Sequence, residues 1–184
     1  MEDIRIWNMW DYYLSLEEDL SNTSQYIEPL GQESVYSFEF AKILILACTE
    51  LESVLKAICT EIDGNSGGSI GDYKKIVLRK YPRIVTARVT VRRLGKDIYP
   101  FDGWDAGKLD WWSSYQVVKH NREEFFQKAT YWNAVNALSA LYIAIFYLAD
   151  TTSCPRDQFH GRYIDSPYCS SYLLIGFLEK LPDF

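Results

Sequence analysis

Nothing in this chain has the spacing of a metal or nucleotide site. It holds only two histidines, and its four cysteines, Cys48, Cys59, Cys154 and Cys169, include no C-x-x-C pair. Zinc ligation therefore has no ready ligand set, and no metal or cofactor is expected. Cys48 and Cys59 fall on one helical face and read as small buried hydrophobes, so nothing demands an oxidising compartment. The glycine-rich stretch DGNSGGSIG, residues 63–71, lacks the Gly-Lys-[Ser/Thr] ending of a phosphate loop, and no strand precedes it. It reads as a flexible connection. A nucleophile elbow is also missing, which leaves a small-molecule enzyme with little support. The opening residues MEDIRIWNMW have neither a basic n-region nor an apolar h-region, so no signal peptide is expected and a cytoplasmic location is.

Apolar residues, by contrast, are plentiful. Hydrophobic side chains make up 48% of 184 residues and aromatics 16%, enough for one domain over residues 1–184 with a substantial core. Charge is segregated along the chain. Residues 1–63 carry 13 acidic and 3 basic residues, whereas residues 74–96 carry nine basic and no acidic residue. Lys74, Lys75, Arg79, Arg88, Arg92 and Arg93 in that segment are candidate contacts for a polyanion such as RNA, though outward arginines on a sheet edge also serve simply to keep it soluble.

Periodicity predicts a mainly α protein, an antiparallel bundle of about four to five helices with a small inserted β-hairpin. Residues 5–28 place Ile6, Trp7, Trp10, Tyr13, Leu14, Leu16 and Leu20 on one side, with Glu17, Glu18 and Asp19 on the other. Residues 34–62 form a second helix with a stripe from Phe40 to Ile58. Glu50 lies at the border of that stripe and is a candidate partner for a cation across the bundle, or an ordinary solvated flank; Glu52 and Lys56 point further out. A short basic helix over 70–80 stops at Pro82. Strict alternation over 84–92 predicts a half-buried strand folded back on 97–101 through Arg93-Leu94-Gly95-Lys96, so the insertion spans about 84–101. The tail, 151–184, reads as loop with one apolar piece at 172–178 that packs on the bundle or on a second subunit; Arg156 and His160 form a lone polar pair within it.

The organising stretch is 111–150. Its second half, AVNALSALYIAIFYL, is apolar nearly all round. Although 19 uncharged residues approach the ~20 needed to span a bilayer, polar residues recur within them and no basic cluster flanks them. A central core helix is expected, not a membrane span. Upstream, Trp111, Tyr115, Val118 and Arg122 share one helical stripe, with Trp112 and Lys119 beside it and His120 on the far side. Asn121 and Glu124 match a capping box, predicting a new helix whose N-terminus gathers Lys119, His120 and Arg122 around a phosphate.

Two early helices, the segment Trp-Trp-x-x-Tyr-x-x-Val-Lys-His-x-Arg and a final long apolar helix together resemble the HEPN superfamily of small helical bundles, over roughly residues 5–150. The family is common in bacterial defence and toxin systems, and many members are metal-independent endoribonucleases. The resemblance implies a homodimer with a composite site. The catalytic pattern of the family sets an arginine before a histidine; here the order is His120-Asn121-Arg122.

Metal-free RNA cleavage needs a base, an acid and a cation on the phosphate. His120 suits the first two roles, Lys119 and Arg122 the third, while Trp112 and Tyr115 are candidates to stack bases. Each has a plainer reading: His120 as a helix-end residue, Arg122 as a snorkelling side chain or Glu50's partner, the aromatics as core. The alternative to a ribonuclease is a non-catalytic helical module that binds nucleic acid or a partner protein.

Overall fold

The computed structural model describes residues 4–64 and 67–152, Arg92 at the backbone only. Expectations for the tail, including Arg156, His160 and residues 172–178, lie outside the described residues. The order found is α1 (Ile4–Thr23), α2 (Phe38–Asp63), α3 (Ile70–Lys80), β1 (Val89–Val91), β2 (Lys96–Ile98), α4 (Asp110–His120), α5 (Arg122–Phe125) and α6 (Tyr131–Thr151). This is the expected helical bundle with a small inserted antiparallel hairpin.

α6 is buried from Ala134 to Ala149, Asn136 and Ser139 included, because neighbours cover it on every side. By length and composition it is apolar enough to cross a membrane, yet 89% of its most apolar stretch is buried inside the bundle. α2 lies along α6 over the longest interface. The two begin side by side: Tyr131 N donates to Val35 O at 2.8 Å, Trp132 N to Glu33 O at 3.0 Å, and the Phe40 and Tyr131 rings meet edge to face at 5.4 Å. The segment before α2 therefore takes up amides that α6's first turn leaves without intrahelical acceptors. α1 runs against α2, with Arg5 paired to Glu61 and Asp19 to Lys42, each at 3.1 Å. A ring cluster of Trp10, Tyr13, Tyr142 and Phe146 seals α1 onto α6.

Two expectations are corrected here. Glu17 is not on the solvent side of α1: it is 4% exposed, and the Tyr13 hydroxyl donates to its Oε1 at 2.9 Å. Ile6, Trp10, Tyr13, Glu17 and Leu20 follow the three-and-four spacing of a buried seam, so position overrides residue type. Burial drives the Glu17 carboxyl up to about 8, against the opposing pull of the tyrosine hydrogen bond.

The strand predicted over 84–92 is shorter. Pro82, with its fixed φ, starts a 3-10 turn (Pro82–Thr86) just after buried Tyr81 docks on Tyr147, and extended pairing begins only at Val89. The alternation nevertheless has the expected sense, with Ala87, Val89 and Val91 buried and Arg88 exposed. Gly95, at φ +62°, permits the tight return.

Candidate functional site

α4 is anchored by its aromatic face. The Trp111 indole donates to Pro100 O at 2.7 Å, and Trp112, Tyr115 and Val118 are buried. Asn121, at φ −147° and ψ 68°, ends the helix where the sequence predicted a break. The last turn carries Lys119 and His120, both exposed. Lys119 Nζ donates to Tyr115 Oη at 2.9 Å, which raises the lysine pKa and holds its ammonium in place. His120 makes no hydrogen bond or ion pair among the described residues, and its imidazole is open to solvent.

Beyond the break the geometry departs from expectation. α5 starts from Asn121 at its N-cap position as expected, but the Asn121 side chain accepts no backbone N–H; its Nδ2 instead donates to Glu124 Oε2 at 2.6 Å. α5 is a single turn with Glu123 and Glu124 in it, so it offers no phosphate cradle. The kink also swings Arg122 off the α4 stripe. Its Cζ lies 5.9 Å from the Phe38 ring instead of among Trp111 and Tyr115.

Tyr115 is wholly enclosed and cannot stack a base. The aromatics that remain available were not singled out by periodicity. Phe38 is 71% and Tyr36 50% exposed, and both rest on half-buried Phe126, at 4.6 and 5.3 Å. Arg122 borders this aromatic ledge. The available signal was position: Phe38 lies ~200° from Phe40 on the same helix, so the two phenylalanines cannot both face the core.

The basic segment is largely answered by acids of this same chain. Arg79 pairs with Asp63, Arg88 with Asp97 at 2.9 Å, Arg93 with Glu28, and Lys96 with Glu33 at 2.7 Å. Lys75 lies 4.0 Å from Asp72, and Lys74 Nζ donates to Gly107 O at 3.2 Å. The segregation visible in the sequence is thus partly intramolecular: two of these bridges tie the basic hairpin to the acidic 28–33 loop. Arg92 contributes no described side chain. Exposed pairs of this kind contribute ~0–1 kcal/mol each and keep their charges available for exchange.

Glu50 does not partner Lys119 or Arg122. It is half-buried, which raises its pKa, and its charge acts on Tyr12 of α1. Glu52 instead faces the α4 side and helps hold Lys119 protonated. It also lines a cavity of about 630 Å³ between α2, α3, the 104–109 loop and α4, together with Lys74, Trp104, Lys108, Trp112 and Gln116. The cavity thus unites two sequence candidates, Lys74 and Trp112, with a glutamate assigned to solvent. His120 follows Gln116 by one helical turn on the same side of α4.

Among the described residues, no cluster of three or more histidine, cysteine, aspartate or glutamate side chains is arranged to hold a metal ion. Comparison with known protein families, with curated proteins and with solved structures finds no match to this chain.

Proposed function

We propose that this chain is an HEPN-like protein that acts on single-stranded RNA at the corner between α4 and α5. One observation carries the reading: the solvent-open imidazole of His120, unpartnered among the described residues, flanks a helix break with Lys119 and Arg122, and Arg122 borders the Phe38–Tyr36–Phe126 ledge. Exposed rings stack bases without regard to sequence, and flanking cations hold the backbone phosphates. In the cleavage step His120 accepts the ribose 2′-OH proton, the 2′-oxygen attacks phosphorus, and the P–O5′ bond breaks to leave a 2′,3′-cyclic phosphate. The 5′-oxygen takes its proton from a second imidazole, supplied by the same corner of a partner copy. Lys119 and Arg122 stabilise charge developing on the phosphate.

The test follows labelled mixed RNA in EDTA, scored for both cleavage and gel shift. Wild type is expected to cleave, and His120→Ala to lower the rate ~100-fold or more, in line with loss of general acid–base catalysis. Phe38→Ala and Arg122→Ala should weaken the shift. Cleavage that survives His120→Ala overturns the mechanism.

A second reading, a protein-interaction module, is favoured by the internal pairing of the basic segment beside the exposed Tyr26, Leu30, Tyr36 and Phe38 side chains. Neither cleavage nor shift by wild type would transfer the assignment to it.

A further inference from the structure

The α2–α3–α4 cavity lies apart from the aromatic ledge and has a chemistry of its own. Its volume, about 630 Å³, falls within the ~300–1,000 Å³ typical of small-molecule sites. Two nearly buried tryptophans, Trp104 and Trp112, contribute to its walls. Neither indole N–H has a hydrogen-bond partner among the described residues. The Glu52 carboxylate and the Gln116 amide, both half-buried, likewise make no hydrogen bond or ion pair there. These groups reach the solvent in the cavity and remain free to bond a ligand. Lys108 is exposed, and Lys74 spends one N–H on Gly107 O, so both ammonium groups can still donate.

We propose that this cavity binds a guanine nucleotide. The apolar part of the lining, Ile70, Trp104, Leu109 and Trp112, suits a flat heterocycle. Among the common bases guanine alone presents two adjacent donors, N1–H and the 2-amino group, which match the two oxygens of Glu52; its O6 accepts from the Gln116 amide. Adenine and cytosine would turn a ring-nitrogen acceptor toward the carboxylate, and uracil offers one donor between two acceptors. Lys74 and Lys108 take the phosphate. A simple amine would satisfy Glu52 but would be repelled by both lysines.

The site does not rest on the RNA reading, since nucleotide binding and strand cleavage are measured separately. Titration of the full chain with GMP, AMP and guanosine, followed by tryptophan fluorescence and calorimetry, tests it. GMP is expected to quench and to bind at least ~10-fold more tightly than AMP, the cost of an unmatched buried edge. Guanosine, without phosphate, should bind several-fold more weakly than GMP. Glu52→Gln, nearly isosteric, should erase the GMP preference. Lys108→Ala, on an exposed loop, should weaken GMP while leaving guanosine unchanged.

A guanosine-terminated oligonucleotide in a parallel arm separates the two sources of the ligand. Quenching by GMP assigns the site to free nucleotide, and quenching by the oligonucleotide alone assigns it to a strand end; both support guanine recognition. Equal affinity for GMP and AMP, or no response to either guanine ligand at millimolar concentration with native circular dichroism intact, overturns the proposal.

Discussion

Raising the pH from 5 to 8 is expected to destabilise the native state by several kcal/mol, and Glu17→Gln is expected to remove most of that loss. Glu17 is 4% exposed in the seam between α1 and its neighbours, and its carboxyl is driven from 4.5 to about 8 by burial. Below pH 4.5 the group is protonated in both states and costs nothing. Between 4.5 and 8 the unfolded chain releases the proton while the folded chain keeps it, so stability falls steadily as pH rises. Above 8 the folded carboxylate is charged and the penalty is complete. At ~1.4 kcal/mol per unit the full loss is at most about 5 kcal/mol.

Glu50 adds in the same direction, since burial raises its pKa too. Glu33 and Asp72, held low mainly by Lys96 and by the Ser69 hydroxyl respectively, lose their contribution only as pH falls into the carboxylate range, outside this window. Glutamine keeps an acceptor for the Tyr13 hydroxyl, bonded at 2.9 Å, and carries no charge. Urea unfolding at pH 5, 6.5 and 8 should give near-equal stabilities for the two proteins at pH 5 and a clear advantage to the variant at pH 8. Parallel curves would mean that Glu17 reaches water in the folded protein.

Glu17 also marks the limit of reading this chain from its letters. The helices were legible because apolar residues recur every three or four positions and because Pro82, Gly64 and Asn121 punctuate them. The hairpin register was partly legible, from alternation at Ala87, Val89 and Val91. Charge groups Glu17 with Glu18 and Asp19 on the solvent side, although it follows Tyr13 by four residues and precedes Leu20 by three, the spacing of the buried seam.

The candidate site shows the same division. The break after His120 and the exposure of His120 on the far side of α4 are local properties, and the sequence carried them. Arg122's move to Phe38, the Glu52 cavity and the pairing of Arg93 with Glu28 depend on which elements become neighbours, and no local pattern encodes that. Arg79, Arg88 and Arg93 read as a free basic surface because their acids lie 16, 9 and 65 residues away.

Phe40→Ala is expected to cost ~3–5 kcal/mol, the loss typical of a fully buried phenylalanine, and part of that cost should depend on Tyr131. The two residues are far apart in sequence, yet their rings meet at 5.4 Å and 75° where α2 and α6 begin. Edge-to-face pairs contribute ~0.5–1.5 kcal/mol beyond the area they bury. A double-mutant cycle with Phe40→Leu and Tyr131→Leu keeps both sites apolar and isolates that coupling. Chemical denaturation of the wild type, the two single variants and the double variant should give a favourable coupling of ~1 kcal/mol.

Strict additivity would leave the starts of α2 and α6 joined by the Tyr131–Val35 and Trp132–Glu33 backbone bonds, with no contribution from the ring pair beyond its buried area. Phe38 projects from the same turn of α2 on the opposite side, and Phe126 reaches it from the short connection leading into α6. Arg122 meets Phe38 from α5, in that same connection. The buried Phe40–Tyr131 contact thus joins these backbone bonds in fixing the two helix starts that the exposed aromatics bridge. A favourable coupling would show that this ring pair, and not the backbone bonds alone, fixes the spacing across which Phe38, Phe126 and Arg122 meet.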